Sequence, residues 1–306
     1  MSGIFLGTPA AAVASLAAFC DVEDVELVIT QPDRRSGRGP GRTASPIKVA
    51  AEQFGLRVAQ PGSGEELLDV ISAIRPDLAL VVAYGRILRP DVLSLVPYGF
   101  LNVHFSLLPR WRGAAPVERA IASGDENTGV TLMKIDEGLD TGPILGEIAT
   151  PIGPRETGGS LTARLSFLGA ALVDQTLPDY VNGRRRPVPQ LATGGTHAAK
   201  LSKDEARLTS AWDVAHAERA VRAFAPRPGA WLRTADGDLK IHAARIAAMP
   251  TTRAQIEIAN GVVSAGFQDG SLELLTVQPP GKSPQEATEW MNGRRGMPLA
   301  FSPDDG

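Results

Sequence analysis

Short apolar runs at residues 4–6, 25–30, 78–83, 100–104 and 130–135 alternate with stretches of helical spacing at 10–19, 46–54, 65–74 and 116–123. No other feature restricts the fold as much. Apolar β-rich runs that keep returning after amphipathic segments are the pattern of βαβ units built around a parallel sheet. Pro46 and Pro116 suit first-turn positions of helices, where a missing N–H leaves no bond unmade. The expectation is an α/β architecture with a doubly wound, mostly parallel sheet.

The second half reads differently. A helix at 160–177 precedes Asn182-Gly183, the Arg184-Arg185-Arg186-Pro187 run and Thr193-Gly194-Gly195, which together read as a polar connector. Beyond it, a helix at 212–223 is followed by strand-like runs at 230–234, 239–247, 262–266 and 272–278, with turns at Asp236-Gly237 and Asp269-Gly270. A chain of 306 residues exceeds what one hydrophobic core usually spans. The expected division is a first domain at 1–182, a linker at 183–206 and a smaller β-barrel domain, OB-like, at 207–306.

With 43% apolar and 21% charged residues the chain can bury a substantial core. It has no run of eighteen or more apolar residues, and Met1 leads directly into a strand without a basic region and cleavage site. Neither membrane spanning nor secretion is expected, and the location read from this is cytoplasmic. The single cysteine, Cys20, cannot form an internal disulfide and reads as a small core residue. His197, His216 and His242 lack metal-ligand spacing, so no metal is expected.

A formal net charge of -3 argues against a surface coated in basic residues for general nucleic-acid binding. The charge is uneven, however. Between Asp33 and Lys48 the chain carries Arg34, Arg35, Arg38, Arg42 and Lys48 among Gly37, Gly39, Pro40 and Gly41, which makes a flexible cationic loop. Gly7-Thr8-Pro9 is neither a GxGxxG nor a Walker sequence and reads as a tight strand-to-helix turn.

The most informative segment is Leu101-Asn102-Val103-His104-Phe105-Ser106-Leu107-Leu108-Pro109-Arg110-Trp111-Arg112-Gly113-Ala114-Ala115-Pro116. Asn102 and His104 alternate along a strand and emerge from one face near its carboxyl end, the edge where open α/β sheets bind ligands. Taken alone, a histidine there is more often structural than catalytic. The acidic turn Asp136-Glu137-Gly138-Leu139-Asp140-Thr141-Gly142-Pro143 follows another expected strand and can return a carboxylate to the same edge.

These residues resemble the 10-formyltetrahydrofolate-dependent transferases and hydrolases. The resemblance is carried by Asn102-x-His104-x-Ser106-Leu107-Leu108-Pro109, by Arg110-Trp111-Arg112-Gly113-Ala114-Ala115-Pro116 and by Gly138-Leu139-Asp140-Thr141-Gly142. It extends to Gly7-Thr8-Pro9, Gln31-Pro32-Asp33-Arg34, Val82-Ala83-Tyr84-Gly85 and Lys200-Leu201-Ser202-Lys203-Asp204-Glu205-Ala206-Arg207, and so spans most of the chain.

The resemblance implies a Rossmann-like formyltransferase fold and transfer of a formyl group from 10-formyltetrahydrofolate, as co-substrate, to the amino group of methionyl initiator tRNA. It assigns catalysis to Asn102, His104 and Asp140. It further implies folate contacts from Tyr84, Gly85, Arg86, Ile87 and Leu88 and from the Ser106, Leu107, Leu108 and Pro109 turn. The cationic loop, through Arg34, Arg35, Arg38 and Arg42, would approach the tRNA acceptor stem, with Arg184 to Arg186 and the C-terminal domain as a second RNA surface. The expected enzyme is a monomer. Phe105 stands where the family often has a small residue. A related enzyme that formylates a sugar nucleotide or small amine would share the chemistry, and a noncatalytic RNA-binding protein could share the scaffold.

Overall fold

The computed structural model describes residues 1–35 and 42–301. Arg38 of the cationic loop lies outside the described residues. By the contacts within it, the chain divides into two units: Met1–Pro116, Asn127–Pro151 and Thr162–Ala198 form the first, and Val117–Glu126, Ile152–Leu161 and Ala199–Gly306 the second.

The first unit is built on a seven-stranded sheet. Its strands are β1 (Ser2–Gly7), β2 (Asp24–Ile29), β3 (Val58–Ala59), β4 (Leu78–Val82), β5 (Phe100–His104), β6 (Asn127–Lys134) and β7 (Ile144–Pro151), in the order β7-β6-β5-β4-β1-β2-β3. From β5 to β3 every pairing is parallel, while β6 runs antiparallel to both β5 and β7. The sheet is therefore mostly parallel, as expected. Its direction of winding reverses at β1, so β4 lies on the opposite side of β1 from β2. That switch point opens a crevice at the carboxyl ends of β1 and β4.

Helices cover both faces for a reason visible in the alternation. Ile4, Leu6, Ile29, Ala79 and Val81 share one buried layer with Leu67 and Ile71 of the helix Gly64–Ile74. The intervening Phe5 instead meets Phe19 of the helix Val13–Val22, with ring centroids 6.5 Å apart. Two of the helices beside this sheet begin at a serine that satisfies a free N–H group. Ser63 accepts from the Glu66 amide at the start of the helix Gly64–Ile74, and Ser45 accepts from the Lys48 amide just before Pro46 opens the helix Pro46–Gln53.

The second unit contains an antiparallel sheet of β8 (Ala230–Thr234), β9 (Gly237–Ile246), β10 (Gln255–Ala259), β11 (Val262–Gly266), β12 (Ser271–Gln278) and β13 (Leu299–Ala300). Its order is β8-β9-β12-β11-β10-β13, and a bridge from Thr234 to Phe301 joins the two ends into a near-closed barrel. The barrel expectation thus holds, with Gln255–Ala259 added to the strands read from sequence. Among the described residues no helix is long and apolar enough to cross a membrane.

Glu118, on the helix Pro116–Ser123 of this unit, makes its stability depend on pH. Burial pushes its carboxyl above the ordinary glutamate range, with only its own backbone N–H and Arg119 opposing that shift. Below the ordinary value of about 4.3 both folded and unfolded chains carry the proton, and no penalty exists. As pH rises through the raised folded value, the unfolded chain has already ionised and the folded unit loses stability. Glu118→Gln is expected to raise Tm at neutral pH and to leave it unchanged near about pH 4. Equal Tm differences at both pH values, followed by circular dichroism, would contradict this account.

Candidate active site

Asn102 and His104 occupy alternate positions on β5, so both side chains leave the same face of the strand. Asn102 is half-buried and His104 nearly fully buried. The backbone of Trp111 fixes the imidazole: its carbonyl oxygen lies 2.8 Å from His104 Nε2. A carbonyl can only accept, so Nε2 carries a proton and donates it there. The other ring nitrogen, Nδ1, faces Asp140 Oδ2 at 3.7 Å. Nδ1 is therefore the ring atom that can gain or lose a proton opposite the carboxylate.

Asp140 reaches this position because the turn after β6 is closed on itself. Asp136 Oδ1 accepts hydrogen bonds from the Gly138 amide at 3.1 Å and from the Thr141 hydroxyl at 2.8 Å. Asp140 then adopts a left-handed backbone at φ 52°, a conformation more accessible to Asp than to most residues. Its Oδ2 accepts from the Gly113 amide at 2.8 Å. Gly113 sits at φ 121°, and a Cβ there would come within 2.6 Å of the Ala198 carbonyl oxygen, so only glycine can present its N–H from this point.

The turn after β5 is equally tied down. Ser106 Oγ donates to the Arg110 carbonyl at 2.6 Å, and the Leu108 amide donates to Thr131 Oγ1 at 3.2 Å. Thr131 lies 2.7 Å from the Ser106 carbonyl oxygen and 3.0 Å from Glu147 Oε1. The peptide between Leu108 and Pro109 is cis. Ser106 and Leu108 are buried, whereas Leu107 and Pro109 are half-exposed. Phe105 points away from the His104 face, its ring lying beside Gly169 together with Val103.

Across the switch point, the segment from Ala83 to Leu88 crosses the carboxyl end of β4. Tyr84 turns its ring into the core, where its hydroxyl has no hydrogen-bond partner and burial raises its pKa. Its carbonyl accepts from the Thr8 hydroxyl at 3.0 Å, which ties the loop after β1 to the loop after β4. Gly85, at φ 85°, faces open space, and the Ile87 side chain is 86% exposed. Leu88 is buried. The Arg86 guanidinium is committed to Gln31 Oε1 and to the carbonyls of Pro61 and Gly62 at 2.8 to 3.1 Å. Nearby, Gln31 Nε2 is buried with no partner.

At the base of the cationic loop, Arg34 and Arg35 pair through their backbones with Thr43 and Arg42. Lys48 donates to Asp33 Oδ2 at 2.8 Å and to Gln60 Oε1 at 3.1 Å. The Lys48 ammonium, followed by the Gln60 amide, holds the Asp33 carboxyl below its ordinary range. Lys48 thus anchors the loop, and Arg42 is exposed.

The structure brings His104 and Asp140 into contact, with Asn102 beside His104 on the same strand. Sequence reasoning missed the groups that hold them, the Trp111 carbonyl and the Gly113 amide, and also Thr131, which holds the turn after β5. Trp111 and Gly113 stand inside the quoted motif, but their roles belong to main-chain atoms, which no side-chain pattern announces. Among the described residues, no group of three or more His, Cys, Asp and Glu side chains is arranged to hold a metal ion.

Comparison with known proteins gives the family. Residues 7–177 match the model of the family described as Formyl transferase, and residues 200–295 match Formyl transferase, C-terminal domain. The chain is 47% identical over 301 residues to a methionyl-tRNA formyltransferase of Halorhodospira halophila, covering 96% of this chain and 97% of that one. In fold it is similar to an N-formyltransferase of Helicobacter canadensis solved with folinic acid and dTDP-3-aminofucose, at a TM-score of 0.69, 17% identity, and 89% and 98% coverage of the two chains. HypX of Aquifex aeolicus in complex with tetrahydrofolic acid gives a TM-score of 0.66 at 15% identity. That match covers 94% of this chain but only 46% of HypX, so this chain spans about half its length. On both matched regions and on identity across nearly its full length, the chain belongs to the formyl transferase family.

Proposed function

We propose that the protein transfers a formyl group from 10-formyltetrahydrofolate to the free amino group of methionyl initiator tRNA. The observation that carries the reading is the His104–Asp140 pair, 3.7 Å apart and beside Asn102, at the carboxyl edge of a doubly wound sheet. The 47% identity to a methionyl-tRNA formyltransferase supports the tRNA acceptor over a sugar nucleotide.

The residues present suit a folate. Open space over Gly85, the exposed Ile87 side chain and the unpartnered Gln31 Nε2 supply an apolar surface and a free donor at the switch point. The main chain from Tyr84 to Leu88 and the Ser106–Leu107–Leu108–Pro109 turn would hold the pteridine. Arg86 supports that wall by clamping the 61–62 backbone. When bound, the donor supplies the activated formyl carbon.

The chain's own groups then have distinct work. Asn102 donates a hydrogen bond to the oxygen that gains charge as the amine adds to the formyl carbon. With Nε2 held by Trp111, His104 acts through Nδ1, beside the Asp140 carboxylate. Together they accept a proton from the attacking nitrogen and return one to the departing folate nitrogen as its bond to the formyl carbon breaks. Neither side chain becomes covalently attached. Arg34, Arg35, Arg38 and Arg42 would meet the acceptor stem, since arginine can contact phosphate in bidentate fashion or stack on a base. The region 207–306 would add a second RNA contact. On this reading the enzyme acts as a monomer, in the cytoplasm, where charged initiator tRNA is used.

The deciding experiment is formylation of methionyl initiator tRNA in competition with small amines and a sugar nucleotide amine, with uncharged tRNA as control. Preferential formylation of the charged tRNA is expected. Faster turnover of the sugar nucleotide would replace the acceptor assignment.

A further inference from the structure

The turn that carries Asp140 is gripped from outside by a side chain the reaction does not use. Gln190 Nε2 lies 2.8 Å from the Asp140 carbonyl oxygen and 2.8 Å from the Gly142 carbonyl oxygen, so its two N–H bonds span the turn on either side of Thr141. Its other end is fixed as well. Arg112 Nε and Nη2 approach Gln190 Oε1 at 3.0 and 2.6 Å. Guanidinium groups have no acceptor, so the amide can sit only one way round, with oxygen toward Arg112 and nitrogen toward the turn.

Arg112 is itself held in register. Its amide donates to the Thr196 carbonyl at 2.9 Å, and residues Arg112–Gly113 pair in parallel with His197–Ala198. The next amide, of Gly113, is the one that holds Asp140 Oδ2. Asp140 is therefore fixed twice by one two-residue strand: directly through its carboxylate, and through Arg112 and Gln190 at its main chain.

We infer that Gln190, oriented by Arg112, is a positioning residue that sets the distance between Asp140 and His104 Nδ1. This rests on the catalytic role given to Asp140 above. Gln190 touches neither reacting group, so its loss acts on the geometry of the turn.

The test measures kcat, KM for both substrates and Tm for Gln190→Ala, Gln190→Glu, Asp140→Asn and the double variant Gln190→Ala/Asp140→Asn. Gln190→Ala is expected to lower kcat by about 10- to 100-fold, since misplacement of order 1 Å costs up to about 10²-fold, with KM within about twofold. Gln190→Glu keeps an acceptor for Arg112 but turns an oxygen toward two carbonyls, so it should fold and lose kcat at least as strongly. On the Asp140→Asn background, Gln190→Ala should cost nothing further, because its effect runs through that carboxylate. A merely structural glutamine would lower Tm and add its full loss to the double variant.

Unchanged kcat in both Gln190 variants beside an impaired Asp140→Asn enzyme overturns the inference alone. Full turnover in Asp140→Asn overturns the catalytic reading, and the inference with it.

Discussion

Asp140→Asn is expected to lower kcat by about 10²- to 10⁴-fold, the usual contribution of a positioned proton-transfer group, while leaving Tm nearly unchanged. The substitution removes charge and keeps shape. An asparagine Oδ1 can still accept from the Gly113 amide, which now lies 2.8 Å from Asp140 Oδ2. The left-handed backbone at φ 52° remains accessible, because Asn is enriched there alongside Asp. The Gln190 bond goes to a main-chain carbonyl and survives. What disappears is the negative charge: the amide oxygen that keeps the Gly113 bond takes the Oδ2 position, 3.7 Å from His104 Nδ1, but, being neutral, it is too weak a base to share a proton with the imidazole or to stabilise its charged form.

His104→Ala is a poorer test of the same idea. It would strip the Trp111 carbonyl of its 2.8 Å partner and open a cavity at a buried position, so lost turnover and lost packing would be mixed. Single-turnover formylation with Asp140→Asn, together with a thermal melt, separates the two. Parental turnover in a protein of parental Tm would remove Asp140 from the mechanism.

Much of this arrangement was legible in residue order, for a physical reason. Strands such as Phe100–His104 are apolar runs in a sheet covered on both sides, and they announce themselves by composition. The strand Ile144–Pro151 did not. It lies at the sheet edge with Gly146 and Glu147 within it and Pro151 at its end, and an edge strand with one exposed side tolerates residues that a central strand rejects. Barrel closure was equally hidden, since it depends on Thr234 meeting Phe301, a pairing between the ends of a long segment that no local pattern encodes.

The stretch after Arg186 shows the same limit at the site itself. Pro187, Pro189, Gly194 and Gly195 give it the composition of a connector, yet Val188 pairs with Ile144, Gln190 grips the Asp140 turn, and the Thr196 hydroxyl receives the Trp111 amide at 2.8 Å. Irregular backbone can be fully engaged through scattered single hydrogen bonds. Periodicity detects repeated geometry, and this segment has none.

Gly142→Ala should produce the largest combined effect on stability and turnover. A Cβ built on Gly142 runs into the Lys134 carbonyl oxygen and lies 3.2 Å from the Met133 methyl carbon. The first of these is backbone, in a strand paired on both sides, and cannot swing aside as a side chain would. The clash can be relieved only by moving residues 140–142 outward or by parting Lys134 from Pro143, whose amide-to-carbonyl bond of 2.9 Å starts the β6–β7 ladder. Forcing one methyl group into such a contact costs about 1–3 kcal/mol, a Tm loss of roughly 2–4 °C for each kcal/mol in a unit of this size. Moving the turn also carries Asp140 away from His104 and the Gly142 carbonyl away from Gln190, so kcat should fall by about 10²-fold for a displacement near 1 Å. Gly293→Ala, where an added Cβ meets nothing within 4 Å, is the matched control and should change neither quantity. If Gly142→Ala melted and turned over like the parent, the methyl group would have been absorbed without moving Asp140, and the tight approach to Lys134 could not be what fixes the carboxylate.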